Sequence, residues 1–212
     1  MMGFVKKYTH ESILTVLYIV GIIGHSISFL FPFMILLTPY TLLLSGIIVL
    51  LKLNGNSNLN LFVWCTVTFL VTYITEVIGV KTGLIFGEYQ YGEVLGFKLL
   101  EVPLIIGFNW VFVILGLINL VDDSKLHFIA KAFIVALGAV FFDYFLEPIA
   151  INFGYWSWTN IDVPVQNYAA WFLLAFIFAI LFHLMKVKLN VKTAAYYFLV
   201  QLIFFIILTI VI

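Results

Sequence analysis

Stretches of about 20 apolar residues alternate with short polar or glycine-rich segments along the whole chain. A helix of that length crosses the hydrocarbon core of a bilayer. The pattern predicts seven spans, near 12–31, 34–52, 61–81, 102–121, 127–149, 168–187 and 193–212. Pro32 and Pro39 punctuate the first connection, and Asn54-Gly55-Asn56-Ser57-Asn58 reads as a turn-rich second one. Asp122-Asp123-Ser124 reads as a polar turn and a helix cap. Two connections, about 82–101 and 150–167, are longer and rich in Gly and aromatics, as interfacial loops are.

Composition strengthens this picture. Of the 212 residues, 65% are hydrophobic and 9% charged, whereas soluble domains carry roughly a quarter charged residues. The expected fold is an all-α integral membrane protein, one transmembrane domain over residues 1–212. The absence of Arg argues against an electrostatic reader of nucleic acid. Cys65, the single cysteine, excludes an intrachain disulfide and a cysteine-rich metal site. Lys6 and Lys7 precede an apolar run as in a signal peptide, but Ile13 to Phe33 is long enough to span. No small-residue cleavage site follows, so the run reads as an uncleaved first helix.

The lysines predict orientation. With seven spans, Lys6, Lys7, Lys52, Lys125, Lys131, Lys186, Lys188 and Lys192 share one side, and Lys81 and Lys98 the other. The lysine-rich side is expected in the cytoplasm of a prokaryotic cell, with the N-terminus inside and the C-terminus outside. Both long loops then lie outside. Glu76, Asp143 and Glu147, late in their spans, point to that same side, as do His25 and Asn109.

A repeat groups the same residues. Glu76 precedes Gly87 by eleven residues, and Asp143 precedes Gly154 by eleven. Gly87-x-Tyr89-x-Tyr91 matches Gly154-x-Trp156-x-Trp158. Glu101-Val102-Pro103 with Trp110 matches Asp162-Val163-Pro164 with Trp171 at equal spacing. Spans three-four and five-six, about 61–121 and 127–187, thus read as two parallel helical hairpins, an arrangement that commonly encloses a site.

Asp143 and Glu147 sit one helical turn apart on one face. Two close carboxyls in low dielectric resist joint ionisation, so one keeps its proton and can act as a general acid. The plainer reading puts Glu147 among headgroups, paired with Lys81 or Lys98. Glu76 joins the two as a third intramembrane acid. His25 could relay protons or orient a carboxylate, or simply tie two helices together. Tyr89, Tyr91, Trp156 and Trp158 form an interfacial belt on the plain reading; on the functional one their ring faces stabilise a cation. Asn109, Gln166 and Asn167 could hold a water or satisfy loop backbone. Lys98 and Glu101 read as a local ion pair. His25, Glu76, Asp143 and Glu147 lack metal-ligand spacing, so no metal is expected.

The string Glu76…Gly83-x-x-Phe86-Gly87-x-Tyr89-x-Tyr91…Gly96-x-Lys98…Val102-Pro103…Asn109-Trp110 carries a resemblance, together with Asp143…Glu147-Pro148…Trp156-x-Trp158…Pro164-x-Gln166-Asn167-Tyr168…Trp171. Over roughly residues 60–175 the chain resembles the membrane carotenoid biosynthesis family, that of the carotenoid 1′,2′-hydratases and bisanhydrobacterioruberin hydratase. The resemblance implies a cofactor-independent hydro-lyase that adds water to the ψ-end of a linear carotenoid. Asp143 or Glu147 would protonate the alkene, Trp156, Trp158 and Tyr89 would stabilise the tertiary cation, and Glu76 would direct the water. Tyr91, Trp110, Trp171, His25, Asn109, Gln166 and Asn167 complete the expected substrate site. The expected partners are an apolar carotenoid drawn from the bilayer and membrane lipids, with room for association with other carotenoid enzymes. The rival readings are a carotenoid cyclase that begins with the same protonation, a proton-coupled carrier, and a structural membrane partner.

Overall fold

The computed structural model describes residues 9–54, 59–160, 162–189 and 191–212. Lys6, Lys7 and the centre of the second connection, 55–58, lie outside the described residues. Seven helices follow in order: α1 (Thr9–Ser26), α2 (Phe31–Asn54), α3 (Leu59–Thr82), α4 (Leu104–Val121), α5 (Phe128–Asn152), α6 (Val165–Leu184) and α7 (Thr193–Val211). Six of them, α2 to α7, are long and apolar enough to cross a membrane. α1 is 18 residues long and carries His10, Glu11 and His25 towards its ends. Apolar side chains such as Leu43, Phe62, Ile78, Phe133, Leu173 and Ile203 face outward, which a bilayer accommodates and water does not. The chain is an all-α integral membrane protein.

α4 forms the centre. It packs against α2, α3, α5, α6 and α7, and every residue from Trp110 to Asn119 is buried. Elsewhere single polar contacts fasten the helices: Trp64 on α3 donates its indole N–H to the Phe178 carbonyl of α6 at 3.0 Å. α4 and α6 start directly behind Pro103 and Pro164, both extended, because proline lacks the N–H that an earlier helical turn would need.

The loops contain two small ribbons. β1 (Tyr89–Tyr91) pairs antiparallel with β4 (Trp156–Trp158) and so joins the two long loops. β2 (Lys98–Leu99) pairs with β3 (Val102–Pro103) through a two-residue turn in which Leu100 and Glu101 have φ of 51° and 71°. That left-handed pair matches the twist of a tight hairpin.

Three local expectations are corrected. The first connection is a turn at 27–30, while Pro32 and Pro39 both lie within α2. Only His25, Ser26 and Ser28 mark the turn in an otherwise apolar stretch, and Pro32 sits in the first turn of α2, where proline is tolerated. Asp122-Asp123-Ser124 is the expected turn, with Asp122 the C-cap of α4, but the N-cap of α5 is His127, whose Nδ1 accepts from the Ile129 N–H at 3.4 Å. Lys98 pairs with Glu93 at 2.7 Å and not with Glu101, because the hairpin turn carries Glu101 away and Lys98 also donates to the Tyr91 carbonyl at 3.0 Å.

Candidate active site

α3 and α5 each bring acids to the end nearest the paired long loops. Glu76, Asp143 and Glu147 are 3%, 1% and 2% exposed, so their polar atoms must be satisfied inside the protein. The β1–β4 ribbon supplies most of the donors. Tyr89 and Tyr91 both donate their hydroxyls to Glu76 Oε2, Tyr91 at 2.7 Å. Trp156 and Trp158 donate their indole N–H groups to Glu147 Oε2 at 3.0 and 2.9 Å. In a strand, residues two apart point to the same face. An aromatic-x-aromatic triplet therefore presents both of its donors to one acid. Burial, and then the neighbouring Glu76, push the Tyr89 and Tyr91 phenols well above their ordinary range, so both remain protonated donors.

Asn167, on the first turn of α6, joins the two acids of α5. Its Nδ2 donates to Asp143 Oδ2 at 2.6 Å and to Glu147 Oε1 at 3.3 Å. Among the described residues the donor count is unequal: Glu147 accepts three hydrogen bonds, Glu76 two and Asp143 one. The match of Glu76 to Asp143 in the repeat does not carry over to the donors, since the ribbon serves Glu147. Glu147 lies one turn nearer the loop, and an indole N–H projects less far from its backbone than a phenol hydroxyl.

These groups line a cavity of about 200 Å³, below the roughly 300–1,000 Å³ of pockets that enclose a drug-sized ligand. It can take the end of a long apolar chain but not the whole of one. Of the residues singled out from the sequence, Glu76, Asp143, Glu147, His25, Tyr89, Tyr91, Asn109, Trp110, Trp156, Trp158, Asn167 and Trp171 all border it. Gln166 does not. It is exposed, and its amide donates to the Leu84 carbonyl, satisfying loop backbone. Trp110 and Trp171 stack with centroids 3.4 Å apart, and Phe86 stacks on Trp171 at 5.3 Å. Val20 on α1 and Leu37 on α2 border the cavity and are half exposed on the apolar surface. The cavity thus reaches the lipid-facing side between α1 and α2.

The wall away from the acids is polar but uncharged. Asn109 Oδ1 accepts from Gln201 Nε2 at 2.8 Å and from the Tyr197 hydroxyl at 3.2 Å. His25 turns Nδ1 to the Gly21 carbonyl at 2.7 Å, which places the proton on that nitrogen, and stacks on Phe153 at 4.8 Å. Its Nε2 is buried and has no hydrogen-bond partner among the described residues. Tyr18, Thr38, Tyr155 and Gln201 also border the cavity and were not foreseen. Gln201 carried a usable signal, a single amide within an apolar span. Among the described residues no group of three or more His, Cys, Asp and Glu side chains is arranged to hold a metal ion.

Comparison with known proteins adds to this geometry. Residues 32–212 match the family described as carotenoid biosynthesis protein. A curated relative, the bisanhydrobacterioruberin hydratase of Haloarcula japonica, is 31% identical over 126 residues, covering 53% of this chain and 41% of that protein. The chain thus spans about two fifths of the length of that relative. No solved structure matches.

Proposed function

We infer, for a chain that belongs to the carotenoid biosynthesis protein family, that it adds water across the terminal 1′,2′ double bond of a linear carotenoid ψ-end. The observation that carries this reading is the Asn167-bridged pair of Asp143 and Glu147 beneath a ribbon of four aromatic side chains in one cavity. Two carboxyls on one amide in a buried site share a proton more readily than they both ionise. Asp143, with one donor, is suited to hold that proton. Glu147, with three, is suited to stay a carboxylate.

Hydration then follows from ordinary alkene chemistry. The Asp143 carboxyl gives its proton to the less substituted carbon of the terminal alkene, leaving a tertiary cation. The aromatic rings bordering the cavity and the carboxylate charge stabilise that cation. A water molecule forms the C–O bond, and the proton it sheds returns to the carboxyl pair. One water is consumed and the acid is restored, with no redox change. An apolar chain end reaching the cavity from the lipid side between α1 and α2 fits a substrate that partitions into the bilayer.

The test is expression in cells that make lycopene or γ-carotene, followed by pigment mass measurement. A gain of one water, abolished by Asp143→Asn or Glu147→Gln, is the expected result. An isomer of unchanged mass with altered absorption would mean cyclisation instead. Unchanged pigments with the chain present in the membrane would remove the hydratase reading for these substrates.

A further inference from the structure

A hydration site inside a membrane has a supply problem that rests on the reading above: the substrate comes from the lipid, but one water per turnover cannot. A second pocket, of about 490 Å³, lies on the other side of the β1–β4 ribbon. Its lining is mainly polar and includes Lys81 and Thr82 at the end of α3, Gln90 of β1, and Ser157 and Thr159 at β4. Lys81, Gln90, Ser157 and Thr159 are exposed, and an exposed lysine does not sit in hydrocarbon. The pocket therefore opens to the aqueous side.

Tyr89 and Trp158 border both this pocket and the acid cavity. They are partners in the ribbon, with ring centroids 5.0 Å apart. On the acid side, Tyr89 donates to Glu76 and Trp158 to Glu147. The next pair in register, between Tyr89–Trp158 and Tyr91–Trp156, is Gln90 and Ser157, whose side chains alternate to the opposite face. The Gln90 amide lies 3.5 Å from the Ser157 hydroxyl. One layer of aromatic rings thus separates a polar pocket large enough for several waters from the buried carboxyls.

We propose that this outer pocket is the water-binding vestibule of the site, and that the Tyr89–Trp158 pair is the partition through which single waters reach the acids. The ligand is water itself. The vestibule offers it the hydroxyls of Thr82, Ser157 and Thr159, the Gln90 amide and the Glu88 carboxylate, and the partition limits how much solvent reaches the buried acids.

The experiment uses the full chain with Cys65→Ala and either Ser157→Cys or Gln90→Cys, treated in membranes with membrane-impermeant thiol reagents of increasing size. Glu93→Cys, exposed in the loop between β1 and β2 and lining neither pocket, is the control. We expect Ser157→Cys and Gln90→Cys to be modified from one face of the membrane. The larger adducts should lower hydration by about tenfold or more, with carotenoid still co-purifying, and modified Glu93→Cys should keep its rate. Full hydration after complete modification with the largest reagent would overturn the proposal. If the unmodified protein hydrates no pigment, the functional reading fails. The vestibule is then judged by access alone, and protection of both cysteines from the impermeant reagents would overturn it too.

Discussion

Tyr89 and Trp158 stand opposite each other across the β1–β4 ribbon, rings 5.0 Å apart and inclined by 40°, yet each gives its polar hydrogen to a different acid. One pair of residues thus ties α3 to α5 through their buried carboxyls. Removing either donor leaves a buried acceptor short of a partner, which costs about 1–3 kcal/mol. Tyr89→Phe and Trp158→Phe should each lower the melting temperature in detergent. The double variant should depart from the sum of the two, because the rings also pack on each other.

Asp143→Asn and Glu147→Gln should separate catalysis from stability. Asp143 accepts one hydrogen bond, and an asparagine carbonyl can still accept it from Asn167. That variant should stay close to wild-type stability while losing about 10²–10⁴ of its hydration rate, the usual worth of a general acid. Glu147 holds three donors, and its replacement turns an amide N–H towards at least one of them. Glu147→Gln should lose both activity and thermal stability. Equal melting temperatures for the two variants would contradict the unequal donor count.

Asn167→Asp probes the bridge itself. The amide donor becomes a third carboxyl against Asp143 and Glu147, in a site where all three are nearly fully buried. Like charges at this range in low dielectric cannot all ionise. The variant should be less stable than Asn167→Ala and should give no hydrated pigment, as read by melting temperature and pigment mass. A stable, active Asn167→Asp would remove the bridge from the mechanism.

Gly92 tests the ribbon as a unit. Its N–H donates to the Tyr155 carbonyl at 2.8 Å, and a Cβ at this position would overlap the Gly154 carbonyl oxygen. Backbone cannot swing aside as a side chain does, so Gly92→Ala should cost about 1–3 kcal/mol or more. Because the ribbon delivers donors to both acids, hydration should fall with it. Glu93→Ala, next in sequence but exposed, should stay within about 0.5 kcal/mol of wild type.

Orientation is open to direct labelling. In a Cys65→Ala chain, Lys188→Cys should react with an impermeant thiol reagent only from the cytoplasmic side, and Glu93→Cys only from outside. The reverse pattern would invert the assignment drawn from the lysines.

By itself the sequence determined the helical membrane class, the identity of the buried acids and the period of the aromatic triplets. The first two follow from local rules, span length and the free-energy cost of charge in hydrocarbon; the triplets were legible only as a spacing within interfacial loops, and their pairing as strands was not. Contacts between distant segments were not legible either. That Tyr89 meets Trp158, that Asn167 spans two acids and that Gln201 holds Asn109 depend on how α3, α5, α6 and α7 pack. Gln166 and Asn167 were equivalent as sequence, two adjacent amides at a helix start. Neighbouring helical positions face about 100° apart, and tertiary packing turned one to the Leu84 carbonyl and the other to the acids. Tertiary structure likewise decided that Glu147, rather than the Asp143 matched to Glu76 in the repeat, receives the ribbon's donors, because reach and depth belong to the folded molecule and not to spacing along the chain.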